Sequence, residues 1–215
     1  MSLYPVTSKG EGDAQRAQML LDAIILRREL RKIGTNFSDI QQRPTLLVLC
    51  GLPGTGKTYF AREVTKLVPF CVFESDRIRK TLIPEPKYTA SEHARIFNVC
   101  HFLIEEYLRQ GQNILFDATN LTERFRLPLR EISQRQDAQF VMVHITAPRD
   151  TVRKRLQERE LGLHTGEFSD AGWPIYSRMA PHEQPIEGEH LSADTSKDIS
   201  PIIENVVKLV TTPYS

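Results

Sequence analysis

The chain has 215 residues, of which 40% are hydrophobic and 26% are charged, and this composition is typical of a globular protein long enough to bury a core. Its 28 Lys and Arg residues nearly balance its 27 Asp and Glu residues, so the net charge of +1 excludes a strong overall field for nucleic acid or an acidic membrane. The three cysteines lack metal-ligand spacing and indicate reduced thiols in a cytoplasmic protein. No apolar run approaches the ~18 residues that a membrane span needs.

The N-terminal part of the chain predicts a polar tail followed by one helix. We expect residues 1–12 to be disordered, whereas residues 14–32 carry apolar side chains at helical spacing, and Gly34 is placed to end the helix. The apolar stripe comprises Met19, Ala23, Leu26, Leu30 and Ile33, widened by Leu20, Leu21, Ile24 and Ile25. We therefore divide the chain into an extension over residues 1–43 and a domain over residues 44–215.

The opposite face of this helix is basic. It carries Arg16, Arg27, Arg28, Arg31 and Lys32. We expect the helix to dock on the domain through its broad apolar stripe and to leave the basic face in solvent. A homodimer through the helix, or contact of the arginines with a substrate, is the alternative.

The next stretch, TLLVLCGLPGTGKT, joins an apolar strand to a phosphate-binding motif. Residues 51–58 fit G-x-x-x-x-G-K-[ST] at every required position, and this motif predicts a loop whose backbone N–H groups hold the phosphates of ATP. Lys57 would reach the β- and γ-phosphates, and the Thr58 hydroxyl would bind Mg²⁺. The predicted ATP-binding residues are Gly51, Leu52, Pro53, Gly54, Thr55, Gly56, Lys57, Thr58 and Tyr59.

Beyond this loop, short apolar strands alternate with helices. Further strands are predicted over residues 69–73, 113–116, 139–145 and 190–193, and the main helices over residues 59–67, 78–82, 91–109 and 199–210. Ser91 and Thr122 stand where N-caps belong. This alternation predicts an α/β protein with a parallel sheet covered on both faces, whose function lies at the carboxyl ends of the strands.

Two of those strand ends carry an aspartate. Asp76 follows the second strand and could accept a proton from a substrate hydroxyl, or it could cap the helix that begins near Ile78, as could Ser75. Arg79 lies one helical turn further on and could bind an anionic group of the acceptor, or it could be a surface arginine. Asp117 follows the third strand, where it would hold Mg²⁺ through water, or bond to nearby backbone.

The helix after the fourth strand carries two arginines on one face. Arg155 and Arg159 are four residues apart and precede a glycine-bearing loop, so they could close over a transferring phosphate as part of a lid over residues 153–173. A solvated basic helix face is the alternative. Phosphoryl transfer needs such positive charge beside a phosphate cradle, a metal and a group that orients the nucleophile.

The ordered motifs GLPGTGKT, SDRIRK, FDATN, RLQER and SDA resemble the P-loop kinases related to the kinase domain of phage polynucleotide kinase, with zeta toxins and chloramphenicol phosphotransferase as more distant relatives. The resemblance covers residues 45–210. It implies a P-loop NTPase fold with five parallel strands, a lid after the fourth strand, and transfer of the ATP γ-phosphate to a hydroxyl.

The same resemblance implies roles for individual residues. Asp76 matches the general base, Arg79 an arginine that contacts the acceptor, and Asp117 the acidic residue of the third strand. Arg155 and Arg159 match lid arginines, while Ser169-Asp170-Ala171 matches a motif of unassigned role and Asp194-Thr195 a segment that could flank the adenine. Asn120, the last residue of FDATN, joins Asp76 and Arg79 as a predicted substrate-binding residue.

The acceptor stays open at this point. A polynucleotide 5′ end and a small molecule such as a sugar, nucleoside or antibiotic are both compatible with the motifs, although the chain has no extended basic tract that would mark a nucleic-acid channel. The competing interpretation is a nucleotide-binding regulatory or interaction module. A GTPase switch would need D-x-x-G and N-K-x-D segments, and the sequence contains neither.

Overall fold

Five parallel strands form the centre of the protein in a computed structural model that describes residues 9–32, 40–162 and 169–212. The order across the sheet is β2-β3-β1-β4-β5. The strands are β1 (Thr45–Cys50), β2 (Cys71–Glu74), β3 (Ile114–Asp117), β4 (Gln139–Thr146) and β5 (Leu191–Asp194). The helices are α1 (Lys9–Lys32), α2 (Lys57–Thr65), α3 (Ser75–Leu82), α4 (Ala90–Arg109), α5 (Glu123–Arg135), α6 (Arg149–Glu160), α7 (Trp173–Met179) and α8 (Ser200–Thr211). The predicted five-stranded α/β fold is confirmed.

Strand β1 lies in the middle of the sheet, and all six of its residues are buried because helices cover both faces. In the register of the sheet, Leu49 lies beside Asp117 and Asp117 lies beside Glu74. The carboxyl ends of β1, β3 and β2 therefore meet at one edge, which is where parallel α/β sheets bind ligands.

Apolar side chains pack against both faces of this sheet. One cluster joins α1, α3, α4 and α5 to the sheet, and a second joins α2 and α8 to the opposite face. A third, smaller cluster lies under α6 and α7 and comprises Leu52, Leu121, Val152, Leu156 and Tyr176. Helix α6 is thereby anchored beside the loop that follows β1. No described helix is long and apolar enough to cross a bilayer.

Helix α1 docks on the domain through a narrower stripe than the sequence predicts. It begins at Lys9, so the tail prediction is wrong for residues 9–12, and residues 1–8 lie outside the described part of the chain. Ala23, Leu26 and Leu30 are buried in the main core. The four residues expected to widen the stripe are instead 43–57% exposed: Leu20, Leu21, Ile24 and Ile25.

Ion pairs with α4 explain this orientation of α1. The fully buried Asp22 carboxylate accepts two hydrogen bonds from the Arg95 guanidinium, each 2.8 Å long. Arg27 pairs with Glu106 and packs against the Phe102 ring, so it is not part of a solvated basic face as expected. The division of the chain at residue 43 stays a prediction.

The structure moves two predicted helix starts. The N-cap of α3 is Glu74, so neither Ser75 nor Asp76 occupies that position. The N-cap of α4 is Thr89, whose hydroxyl accepts a hydrogen bond from the Glu92 N–H, and Ser91 lies inside the helix. Thr122 is the N-cap residue of α5 but makes no side-chain capping bond. Ile33 and Gly34 lie outside the described residues.

Candidate active site

The loop between β1 and α2 has a backbone that requires glycine at two positions. Gly51 has φ +148°, and a Cβ atom there would lie 2.3 Å from the Ile145 carbonyl oxygen. Gly56 has φ +96° and is the N-cap of α2, where a Cβ atom would meet Thr195 at 3.0 Å. The loop can therefore turn tightly into the helix and present backbone N–H groups beside the positive end of the helix dipole, which suits a phosphate.

A cavity of about 340 Å³ opens in front of this loop. Six of the nine predicted ATP-binding residues line it, namely Pro53, Gly54, Gly56, Lys57, Thr58 and Tyr59. Gly51, Leu52 and Thr55 support the loop from behind. The Leu52 side chain is buried in the small cluster under α6, and the Thr55 hydroxyl donates to the Leu52 carbonyl at 2.8 Å.

Lys57 lies at the base of the cavity, and its Nζ donates to the carbonyl oxygens of Gly51 and Leu52 at 3.0 Å each. Burial lowers the pKa of Lys57, and the nearby carboxylates of Asp117 and Asp76 oppose that shift. An ammonium group that is poorly hydrated interacts strongly with any anion that enters the cavity. Lys57 is thus positioned to bind phosphate oxygens beside the loop.

Thr58 and Asp117 form the second feature of this half of the cavity. The Thr58 hydroxyl donates to Asp117 Oδ2 at 2.8 Å, and both residues line the cavity. The structure therefore places Asp117 against Thr58 rather than in a bond to Thr119 or Asn120. Burial raises the pKa of Asp117, while Lys57 and the Thr58 hydroxyl act in the opposite direction.

This pair of oxygen ligands suits Mg²⁺. Magnesium prefers hard oxygen donors and usually keeps several waters and phosphate oxygens, so a protein supplies only one or two ligands beside a nucleotide. The described residues contain no cluster of three or more His, Cys, Asp or Glu side chains of metal-binding geometry. A hydroxyl and a carboxylate 2.8 Å apart fit a metal that is held largely by the nucleotide and by water.

Asp76 lines the same cavity from the first turn of α3. The alternative role as a helix cap is wrong, because Glu74 is the N-cap and no side chain makes a capping hydrogen bond there. The Asp76 carboxylate therefore shares one cavity with Lys57, Thr58 and Asp117. It is placed to receive a proton from a hydroxyl that enters from this side.

Arg79 lines the cavity and is only 5% exposed, so the alternative of a surface arginine is wrong. Its guanidinium lies over the Tyr88 ring at 5.0 Å, and its Nη1 is 3.8 Å from Glu92 Oε2, too far for a hydrogen bond. Neither Nε nor Nη1 has a hydrogen-bond partner among the described residues. Buried cationic donors without partners are rare, and an anionic ligand group would satisfy them.

Glu74 is a cavity residue that the sequence analysis missed. It is the last residue of β2 and the N-cap of α3, and it lines the cavity with Asp76 and Asp117. Burial raises the pKa of Glu74 to about 7, and the charges of Asp117 and Asp76 add to the shift. Its position at a strand end, two residues before Asp76, was a signal that could have identified it.

The two arginines of α6 contact different parts of the protein. Arg159 lines the cavity and donates to the Ala171 carbonyl at 3.4 Å, so its guanidinium lies near the phosphate loop. Arg155 lies behind the loop, where it donates to Thr195 Oγ1 at 2.7 Å and to the Thr195 carbonyl at 2.9 Å. Arg159 is therefore the one of the two that lines the cavity, whereas Arg155 supports the loop, and the lid role of both arginines stays a prediction.

With this geometry established, the chain can be compared with known proteins. Residues 46–171 match a family model described as an AAA domain, which spans more than half of the chain and includes the loop, Asp76, Asp117 and both arginines of α6. The chain belongs to this AAA domain family.

The family includes kinases. The L-seryl-tRNA(Sec) kinase of Methanococcus maripaludis is 29% identical over 119 residues, which cover 53% of this chain and 46% of that protein. The 6-phosphofructo-2-kinase/fructose-2,6-bisphosphatase 1 of Bos taurus is 26% identical over 149 residues, or 61% of this chain and 32% of that protein. This AAA domain protein thus spans less than half the length of either relative.

A solved structure shares the fold. The APS kinase of Mycobacterium tuberculosis superposes with a TM-score of 0.57 at 16% identity, covering 79% of this chain and 99% of that one. Identity at this level shows a common fold and no more.

Two further residues make contacts that support the neighbouring backbone. Asn120 is fully buried, and its Nδ2 donates to the Leu49 carbonyl at 2.8 Å, so its side chain tethers β1, whereas its role in substrate binding stays a prediction. Thr195 lies behind the phosphate loop, and its hydroxyl donates to the Thr55 carbonyl at 2.6 Å. Thr195 thus supports the loop, and its position beside an adenine stays a prediction.

The AAA domain match ends at Ala171, and the motif Ser169-Asp170-Ala171 now has defined contacts. Asp170 accepts a hydrogen bond of 2.6 Å from Lys80 Nζ and one of 3.0 Å from the Tyr88 hydroxyl. Burial and the bond to Asp170 raise the pKa of Tyr88 to about 12, so its hydroxyl remains a donor. The motif therefore ties the segment after α6 to α3 and to the ring beneath Arg79.

Proposed function

We propose that this AAA domain protein is an ATP-dependent kinase that transfers the γ-phosphate to a hydroxyl group. One observation supports the proposal above all others. Lys57, Thr58, Asp76, Arg79 and Asp117 all line a single cavity. Residues suited to binding phosphate and a carboxylate suited to accepting a proton from a hydroxyl thus share one space.

In the proposed reaction, the loop and Lys57 hold the β- and γ-phosphates of ATP. Asp76 takes the proton of the acceptor hydroxyl, and the hydroxyl oxygen attacks the γ-phosphorus. The bond between the γ-phosphorus and the β,γ-bridging oxygen breaks, and ADP leaves. Arg159 lies where it can neutralise the charge on the transferring group. Thr58 and Asp117 would hold Mg²⁺, which would neutralise charge on the phosphates.

The proposal specifies the acceptor only as a molecule that carries a hydroxyl group. The two curated relatives carry the names of a seryl-tRNA kinase and a phosphofructokinase, so kinases of this similarity act on different hydroxyl acceptors. A polynucleotide 5′-OH, as the resemblance to phage polynucleotide kinase implies, and a small-molecule hydroxyl both remain candidates. Arg79 favours an acceptor that carries an anionic group.

The proposal also includes a cytoplasmic location and a homodimer, and each of these rests on one observation. Cys50, Cys71 and Cys100 are free and buried, which agrees with a cytoplasmic protein. The exposed apolar residues of α1, from Leu20 to Ile25, would suit contact with a second copy of the chain.

Incubation with γ-labelled ATP, Mg²⁺ and a panel of oligonucleotides, nucleosides, sugars and antibiotics would test the function directly. We expect label in an acceptor and ADP release that depends on that acceptor. The Lys57→Ala variant should lose both, because it removes the positive charge at the β- and γ-phosphates. Equal ADP release with and without every acceptor would overturn the kinase function and favour a nucleotide-binding regulatory module.

A further inference from the structure

A second cavity, which we call the α4–α5 cleft, lies beside the phosphate-transfer cavity. It has a volume of about 450 Å³ and shares Tyr88, His93 and Phe97 with the first cavity. The first cavity contains Asp76 and the second does not. The two cavities therefore border one another at these three side chains, beside the space that contains Asp76.

The walls of the cleft are flat and largely apolar. The His93 ring stacks on Phe97 with a centroid distance of 4.1 Å, and Phe125 meets His93 edge-on at 4.8 Å. Ala94 and Pro128 complete the apolar lining. Aromatic rings at such spacings offer stacking surfaces to a planar group, which interacts with them more closely than a puckered ring does.

The charges of the side chains that line the cleft also limit which ligands it can bind. No carboxylate is among its described lining residues, and Arg124 at the surface is its one charged side chain there. Burial lowers the pKa values of His93 and His101 to about 4, so both imidazoles are neutral near pH 7. A cationic ligand would find no counter-charge in the lining, and it would lie near two cations, Arg124 at the surface and the Arg79 guanidinium over the Tyr88 ring.

Both histidines also have unused hydrogen-bonding capacity. The Nε2 atoms of His93 and His101 are shielded from water and have no hydrogen-bond partner among the described residues. They lie two helical turns apart on α4, so both rings belong to the face that borders the cleft. A ligand with polar edges in the cleft would supply the missing partners once the imidazole rings turn their Nε2 atoms toward it.

We propose that the α4–α5 cleft binds a planar, uncharged heteroaromatic group of the phosphate acceptor. The inference rests on the proposed function, because the hydroxyl at Asp76 is what makes the occupant of the cleft part of the acceptor. Flat apolar walls select the shape of the group, the absence of carboxylates selects against a cation, and the two imidazoles select polar ring edges.

Side-chain NMR of the protein labelled in its histidine and phenylalanine rings tests this inference. The phosphate loop is first saturated with Mg²⁺ and a non-hydrolysable ATP analogue, and the four common ribonucleosides are then titrated, with ribose as the matched ligand without a planar group. We expect at least one nucleoside to shift the ring signals of His93 and His101 saturably, and ribose to leave them unchanged. The absence of such shifts, or equal shifts with ribose, overturns the proposal.

A variant that fills the cleft provides the second measurement. Ala94 is exposed on α4, so Ala94→Trp places an indole in the cleft without entering the core. We expect it to weaken binding of the shifting nucleoside at least tenfold, whereas Ala17→Trp on exposed α1 should not. Unchanged affinity in the Ala94→Trp variant overturns the proposal.

The same experiment separates the two proposals. Binding in the cleft does not require turnover, so saturable shifts without phosphate transfer to any acceptor support the ligand class of the cleft and count against the kinase function. Transfer to a hydroxyl acceptor without any shift of His93 or His101 supports the kinase function and overturns the cleft.

Discussion

Asp76→Asn keeps the size and shape of the side chain in the first turn of α3 but removes its capacity to take a proton. General-base assistance contributes about 10²–10⁴ to a rate, which corresponds to roughly 2.7–5.4 kcal/mol of the barrier. We therefore expect kcat to fall by about 10²–10⁴. The KM for ATP should change little, because Asp76 belongs to α3 and not to the phosphate loop. The fold should lose only the ~0.3–1 kcal/mol of a carboxylate near a helix N-terminus.

The assay is acceptor-dependent ADP release with the acceptor that the labelled-ATP panel identifies, measured over a range of ATP concentrations. Asp137→Asn is the matched control, because the Asp137 side chain is 92% exposed and does not line the cavity. Asp137 comes before β4, whereas the cavity lies at the carboxyl ends of the strands. A variant at Asp76 that turns over like the control would refute the assignment of the base. A large rise in KM for ATP would instead show that Asp76 acts on the nucleotide.

Two further predictions concern stability. The folded-state pKa of Glu74 is raised to about 7 from the ordinary value of 4.5. The contribution of this carboxyl group to the free energy of unfolding is therefore fully present below pH 4.5 and is lost as the pH rises to about 7. After a discount for partial exposure, wild type should lose about 1–2 kcal/mol more than Glu74→Gln across that window in urea unfolding; parallel curves would contradict this. Arg95→Ala leaves the Asp22 carboxylate buried and should cost about 3–5 kcal/mol by the same measurement, whereas exposed Arg28→Ala should stay within ~0.5 kcal/mol; equal effects would show that the pair is not stabilising.

The phosphate-binding half of the site was predictable because its residue types are dictated locally. Gly51 and Gly56 are needed for backbone angles that other residues avoid, and Lys57 and Thr58 follow at a spacing set by the first turn of α2. The parallel sheet then places Asp117 beside them, since the carboxyl ends of neighbouring strands meet. The hydrophobic periodicity of the strands and helices and the residue spacing of the motif are therefore sufficient to predict this part of the site.

Contacts that the sequence did not predict depend on distant segments. Arg155 and Arg159 share a helix face, but the sequence gives no indication that Thr195, forty residues further on, lies opposite Arg155. Asn120 is polar and follows a strand, yet its side chain is buried because it bonds to the backbone of β1. Local spacing identifies which residues share a face, whereas tertiary packing decides what that face meets.

Helix α3 links the two halves of the site. It carries Asp76, with Arg79 and Lys80 one turn further on, so a single rigid element places the proposed base, the buried guanidinium and the partner of Asp170. The Tyr88 ring lies between Asp170 and Arg79 and continues into the wall of the α4–α5 cleft. The segment after α6 therefore contacts side chains that border the space in which we propose that the acceptor binds. Changes in α4 and α5 could alter which acceptor fits while α3 keeps the base in register with the phosphate loop.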